Sequence, residues 1–173
     1  MAKRLMTVSC VLLVAGFTGA QESGPMPLER AKVGDYVVFK MIGSVPGTIT
    51  QEVVAVTDKD VTIRFTSVFN GLAQKPTEQT FSKTPKADPS QKAKNLKIVE
   101  TGKGQETLKI GGKDYRCDWS SNKITATAGD MVIESESKVW LSKDAPVFGL
   151  VKTETTSGGV RTGMELTEAG NKK

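Results

Sequence analysis

Short stretches in which apolar and polar residues alternate, separated by turn residues, make up most of the chain from Asp35 onward. In 113–121, for example, Tyr115, Cys117 and Trp119 alternate with charged and polar residues. Successive side chains of a β-strand leave opposite faces, so this period of two indicates half-buried strands. Gly111-Gly112 suits a tight hairpin turn with positive φ, and no segment keeps the apolar spacing of a long helix. Because short connections make neighbouring strands run antiparallel, the sequence predicts an all-β, single-domain antiparallel meander with little or no helix.

Three predicted strands, at 35–42, 131–141 and 147–151, carry apolar side chains on both faces. Such a strand needs cover on both sides, and the sequence offers no amphipathic helix to provide it. A strongly curved sheet would provide it by forming a half-barrel, barrel or sandwich around a self-filled core. Alternatively, the concavity stays partly open and binds an apolar or amphipathic ligand. The residues predicted to contact such a ligand are the aromatic residues Tyr36, Phe39, Trp119, Trp140 and Phe148.

The first twenty residues have the three-part layout of a secretory signal peptide. A basic start, Met1–Arg4, precedes the apolar run Leu5–Phe17 and the small residues Thr18-Gly19-Ala20. The run is shorter than the roughly 20 apolar residues that span a bilayer. We therefore expect cleavage near Ala20, export to the periplasm or the extracellular space, and no transmembrane segment.

Beyond the leader, the sequence divides the chain into one domain and its flanking segments. The predicted parts are an extended, exposed lead-in at 21–32, the antiparallel β domain at 33–168 and a tail at 169–173. Prolines and lysines at 83–94 predict a loop within the domain, because proline cannot donate to a strand ladder. Ser121-Asn122 is typical of a turn, and 147–155 is typical of a strand.

Charge and residue usage exclude several function classes. The chain has 24 Lys and Arg, 19 Asp and Glu, and no His. Loss of the leader leaves 22 basic and 19 acidic residues, and this small excess is dispersed, so we predict no nucleic-acid partner. Without an imidazole there is no Ser-His or Cys-His pair and no His-containing zinc site. Cys117 is the only cysteine after export and is predicted to be a small core residue in a strand, so we predict no metal site and no cofactor.

Two short motifs resemble catalytic ones without their context. Ser120 to Lys123 matches the Ser-x-x-Lys of serine acyl-transferases, in which the serine opens a helix, whereas here the motif lies in a predicted strand turn. Glu134 and Glu136 share a strand face, but the neighbouring Lys138 favours a solvated row of paired charges over a glycosidase pair. The sequence therefore predicts a non-catalytic domain.

Three segments carry a resemblance to a known group of proteins. Residues 140–152 read Trp-x-Ser-Lys-x-x-Pro-x-x-Gly-x-Val-Lys, 33–37 read Val-Gly-Asp-Tyr-Val, and 111–119 read Gly-Gly-Lys-x-Tyr-x-Cys-x-Trp. Together they resemble small exported bacterial β-proteins of unassigned function. More distantly, the sheet pattern is similar to that of the LolA/LolB-like periplasmic carriers, although the carriers' helices and lipid-site arginine are missing here. This second likeness implies a curved half-barrel that holds acyl chains.

Two functions therefore stay open from the sequence. One is an exported, non-catalytic β-domain that binds a lipid or another apolar small molecule in the concavity of a curved sheet. The other is a structural or interaction protein of the cell envelope, with a self-filled core, an envelope protein partner and no ligand.

Overall fold

The computed structural model describes residues 27–84, 96–128 and 131–172. A short 3-10 turn at Pro27–Arg30 precedes ten β-strands. The strands are β1 Asp35–Ile42, β2 Gly47–Val56, β3 Asp60–Phe69, β4 Leu72–Ala73, β5 Thr77–Ser82, β6 Leu96–Ile110, β7 Lys113–Ala128, β8 Met131–Leu141, β9 Leu150–Ser157 and β10 Val160–Asn171. The described part of the chain contains no helix able to cross a membrane. The predicted all-β class is confirmed.

All ten strands belong to one antiparallel sheet with the order β4-β3-β2-β1-β10-β9-β8-β7-β6. Strand β5 pairs with β3 along the same edge as β4. The two edges of the sheet do not pair with each other, so the sheet is not a closed barrel. Strands β1 and β10 pair in its middle, with Asp35 opposite Asn171. The two ends of the described chain are thereby fixed side by side.

Two glycine pairs make the tight turns of the hairpins. Gly111 and Gly112 have φ values of 56° and 82°, and Gly158 and Gly159 have values of 55° and 79°. Positive φ at both central residues is the requirement of a type I′ turn, whose twist matches that of the flanking strands. The turn predicted at Gly111-Gly112 is confirmed.

Much of the core lies on one face of the central strands, which we call the inner face, while Tyr115, Cys117 and Trp140 are buried on the other side. Val37, Phe39, Val53, Ile63 and Leu166 are each 1% exposed or less. Leu28 of the 3-10 turn and the segment between β8 and β9 also cover this face. We call this segment, residues 142–149, the junction loop. Within this loop the ring of Phe148 stands edge-on to Phe81, with centroids 5.0 Å apart. The inner face is therefore filled by the protein's own side chains.

The sheet curves enough to bring strands that are distant in its order together. A Cβ placed on Gly111, in the turn between β6 and β7, would lie 3.5 Å from the carbonyl oxygen of Thr167 in β10. The Nζ of Lys113 donates to the carbonyl oxygen of Asp144, at 3.3 Å, in the junction loop. The closed end of the β6–β7 hairpin thus packs against the junction loop and β10.

The structure corrects several predicted boundaries of strands and turns. Strand β7 runs straight through Ser121-Asn122, because both residues keep partners in β6 and β8. Strand β9 begins at Leu150 and not at 147, because Val147 and Gly149 have φ values of 65° and 70°. Backbone in that left-handed region cannot continue a strand.

The flanking segments also differ from the prediction. Strand β10 extends to Asn171 and so includes most of the predicted tail, because 169–171 pair with β1. Leu28 and Ala31 are buried, so the predicted lead-in is not exposed at its end. The leader, the cleavage position and most of the predicted loop at 83–94 lie outside the described residues.

The requirement that both faces of an apolar strand be covered holds for only part of the chain. Leu150 and Val151 are both buried. At the start of β8, however, Met131, Val132 and Ile133 are 64%, 62% and 50% exposed. Complete cover was therefore the wrong prediction for β8, because this end of the strand extends beyond the core with its neighbours β6 and β7.

Candidate functional site

The five aromatic residues predicted to contact a ligand do not line one cavity. Phe39 is part of the filled core. Tyr36 lies on the opposite face of β1, where its hydroxyl donates to the carboxylate of Glu168. Phe148 packs on Phe81 from the junction loop. Only two of the five, Trp119 and Trp140, are brought together.

Trp119 and Trp140 are direct cross-strand neighbours in β7 and β8. The registers from β1 through β8 place them on the face opposite Phe39. The Nζ of Lys138 lies 4.0 Å from the ring centre of Trp119 and 4.5 Å from that of Trp140. Lys152 lies 5.3 Å from the Trp140 ring centre on the other side. We call these four residues, with Glu106, the tryptophan cluster.

Trp140 and Lys152 of the tryptophan cluster have polar partners of their own. The indole Nε1–H of Trp140 donates to the carboxylate of Glu106 on β6. Lys152 also bonds to Glu154 at 2.9 Å, and Arg161 contacts the same carboxylate. Burial alone would raise the pKa of Glu154, but its hydrogen bonds to Lys152 and Arg161 and their charges outweigh this and lower it. Cation–π contacts and a satisfied N–H are typical of a structural aromatic cluster.

A glycine in β6 makes room for the Trp119 ring. Gly104 is the cross-strand partner of Trp119, and a Cβ placed on it would lie 2.8 Å from Cζ2 of the indole. Glycine inside a strand is unfavourable by itself and often marks the close approach of another group. Here that group is the indole, which lies over the bare backbone of β6.

We expect Gly104→Ala to lower the free energy of unfolding by about 1–3 kcal/mol, because the added methyl displaces the packed indole. In a Trp119→Ala background the same change should instead be neutral or stabilising by about 0.5–1 kcal/mol, because alanine suits a strand better than glycine. Chemical denaturation of the four proteins of this cycle measures both effects. An equal loss in both backgrounds would contradict the proposed contact.

The junction loop is held by hydrogen bonds of its own backbone. The N–H of Ser142 donates to the carbonyl of Gly149 at 2.7 Å, which closes the loop. Ser142 Oγ accepts from the N–H of Asp144 at 3.2 Å. Val147 is fully buried in the left-handed conformation, with φ 65°. A β-branched residue in this conformation costs about 1–3 kcal/mol and persists only where its surroundings determine it.

Two polar clefts open beside the junction loop. The first, of about 350 Å³, lies between the loop, the 3-10 turn and the β6–β7 turn. The second, of about 520 Å³, is lined by residues of β6, β7 and the loop, among them Glu106, Cys117 and Asp118. Sequence reasoning found neither, because each cleft joins segments that are far apart in the chain.

Cys117 is buried in β7, where its Sγ–H donates to the carbonyl of Tyr115 at 3.4 Å. Burial raises the pKa of its thiol, and the nearby carboxylates of Glu106, Asp118 and Asp144 also raise it. Because the thiolate is the reactive form, this environment disfavours nucleophilic chemistry. The prediction of a small core residue in a strand is confirmed.

The structure also shows where the two motifs that resemble catalytic ones lie. Ser120 and Lys123 are three residues apart in the continuous strand β7 and so lie on opposite faces of the sheet. Lys123 pairs with Glu134 of β8, with Nζ 3.1 Å from Oε1. Glu134 is thus a paired surface charge, although its partner is Lys123, while Lys138 lies over the rings of Trp119 and Trp140.

A surface that the sequence did not reveal lies at the far end of β6, β7 and β8. Leu96, Ala126 and Ile133 form one cross-strand row, and Ile98 and Ile124 begin the next. We call these five residues the apolar patch. Ile133 is 50% exposed and Leu96 37%. Local alternation predicted these strands, but it does not tell whether their apolar face meets another layer.

Comparison with known proteins identifies the fold. No protein-family model and no curated protein sequence matches the chain. A Bacteroides fragilis protein inferred to be exported and described as having a YmcC-like fold aligns with a TM-score of 0.58 at 8% identity, covering 82% of this chain and 97% of that one. A Parabacteroides distasonis protein inferred to be a lipoprotein aligns with a TM-score of 0.55 at 12% identity, covering 86% and 100%. The chain shares the fold of these two proteins, and the likeness to LolA/LolB-like carriers stays a prediction.

Proposed function

We propose that the chain is an exported, non-catalytic interaction domain of the cell envelope that binds a protein partner through the apolar patch. The observation that carries this proposal is the filled inner face, in which Val37, Phe39 and Leu166 are each 1% exposed or less. A core of this kind fills the inner face with the protein's own side chains, where an apolar ligand would have to bind. Leu96 and Ile133 of the patch, in contrast, stay exposed.

Export is supported by two independent features. The leader pattern of residues 1–20 is that of a secretory signal peptide. Two solved proteins with the same fold are themselves inferred to be exported or lipoproteins. The absence of histidine and the separation of Ser120 from Lys123 support a non-catalytic role.

The chemistry around the patch favours a protein over a lipid surface. Surfaces that bind membranes combine apolar residues with tryptophan and an excess of lysine and arginine. The patch contains no aromatic residue, and the next cross-strand row on its own face is Glu100, Asn122 and Ser137, which carries no lysine or arginine. An apolar centre with a mixed polar surround is typical of a protein interface.

The test places a photo-crosslinking residue at position 133 in the intact envelope. Position 72 is the matched control, because Leu72 is 70% exposed but lies in β4, at the opposite edge of the sheet from β6. We expect a discrete protein adduct from position 133 and none from 72.

Reconstitution then makes the result quantitative. With the purified partner, Ile133→Glu should weaken binding at least about tenfold, and Leu72→Glu should leave it within about twofold. Equal adducts from both positions, or equal losses in both variants, would contradict the proposal. Co-sedimentation with lipid vesicles that depends on Ile133 would instead favour a membrane surface.

A further inference from the structure

The first of the two clefts gathers cations from segments that are distant in the chain. Arg30 and Lys32 come from the chain before β1, Lys113 from the start of β7 and Lys143 from the junction loop. Two acidic residues, Asp35 and Asp144, also line it. We call this the basic cleft. We propose that it binds a small polyanion that carries phosphate groups.

The lining carries four cations and two carboxylates, so a net positive charge of two remains. Asp35 accepts from the backbone N–H of Lys32 at 2.7 Å and from the side-chain amide of Asn171 at 2.8 Å. Lys113 donates to the backbone carbonyl of Asp144 and not to its carboxylate.

Among the residues that the structure describes, no ion pair includes Arg30, Lys32 or Lys143, as is also the case for exposed lysines outside the cleft such as Lys40 and Lys97. The cleft differs in that its unpaired cations line one concave surface. Unpaired cations around a concave surface create a local positive potential, which attracts anions.

The fold brings the three most distinctive sequence segments together at this cleft. Asp35 belongs to the segment 33–37, Lys113 to 111–119 and Lys143 to 140–152. Strained Val147 forms part of the wall. Left-handed conformations of non-glycine residues cluster at binding sites, where the surrounding structure holds them. The position of the strain therefore agrees with a built site.

The lining determines the class of ligand. A volume of about 350 Å³ is in the range of small-molecule sites. The uncharged lining residues are small or aliphatic, such as Ala31, Ala145 and Gly170, and no aromatic ring is among them. Lysine binds phosphate as a point charge, and four separated cations suit a ligand with more than one anionic group. This site is independent of the apolar patch and goes beyond the proposed interaction function.

Isothermal titration of the mature protein with inorganic pyrophosphate tests the proposal. We expect saturable binding that weakens with added salt and that weakens at least about tenfold in Lys113→Gln/Lys143→Gln. The matched control is Lys40→Gln/Lys97→Gln, which removes the same charge from two exposed lysines outside the cleft and should bind within about twofold of the wild type. Thermal unfolding of each variant checks that the fold is kept.

Because Lys113 also holds the junction loop, the single variant Lys143→Gln gives a second measurement that does not disturb that contact. It should weaken pyrophosphate binding about threefold or more. A parallel titration with vesicles that contain phosphatidic acid distinguishes a lipid phosphate from a free one, and saturable binding of either that depends on Lys143 supports the site. No saturable binding of either probe, or equal binding by cleft and control variants, would overturn the proposal.

Discussion

Replacing Phe39 by alanine is expected to lower the free energy of unfolding by about 3–5 kcal/mol. The side chain is 1% exposed and pairs across the sheet with Ile49 and Leu166 on the inner face. Its removal loses buried apolar area and leaves a cavity that the sheet can only partly close. Since domains of this size are stable by about 5–15 kcal/mol, the variant should unfold at a much lower urea concentration.

The adjacent residue supplies the control for this measurement. Lys40 is exposed on the other face of β1, so Lys40→Ala should change the free energy of unfolding by about 0.5 kcal/mol or less. Urea unfolding followed by circular dichroism compares the two variants with the wild type. If Phe39→Ala lowers the free energy of unfolding by less than about 1 kcal/mol, Phe39 lines an open site. That result would favour the binding of an apolar ligand over a filled core.

Trp140→Ala should also cost about 3–5 kcal/mol, although Trp140 lies on the opposite face of the sheet from Phe39. The ring is buried among Trp119, Lys138 and Lys152, and its N–H bonds to Glu106. Truncation removes the apolar contacts, the cation–π contacts and the hydrogen bond together. A neutral result would show that the tryptophan cluster does not stabilise the sheet.

A conservative variant separates the hydrogen bond from the packing. Trp140→Phe keeps most of the ring contacts but leaves Glu106 without its donor, so we expect a smaller loss of about 1–2 kcal/mol. In the Trp140→Phe background, Glu106→Gln should then add little, because the partner is already gone. If Glu106→Gln costs the same in both backgrounds, the two residues are not coupled.

Sequence reasoning located most strands and the type I′ turn at Gly111-Gly112, because alternation and positive-φ turns are local properties. It misjudged Ser121-Asn122, since polar residues suit a strand as well as a turn where the strand leaves the core. It also began a strand at Val147, because valine favours β structure. The φ of 65° at this residue lies outside the β region. That conformation is imposed by the junction loop and cannot be read from the residue alone.

The candidate sites depend even more on tertiary structure. The five aromatic residues were chosen for size and apolarity, yet those properties are the same for a core residue such as Phe39 and a ligand contact. The basic cleft joins Arg30, Lys113 and Lys143, which no local pattern relates. The apolar patch has the alternation of a core strand, and it stays open because this end of β6, β7 and β8 extends beyond the core.

By itself, then, the amino-acid sequence predicted an exported protein and determined the all-β class and the antiparallel pairing. These depend on composition and on neighbours a few residues apart. Only the tertiary structure decided which apolar faces are buried, that β1 pairs with β10, and that the junction loop contacts the closed end of the β6–β7 hairpin. Those outcomes depend on contacts between residues that are distant in the chain, which the local pattern does not encode.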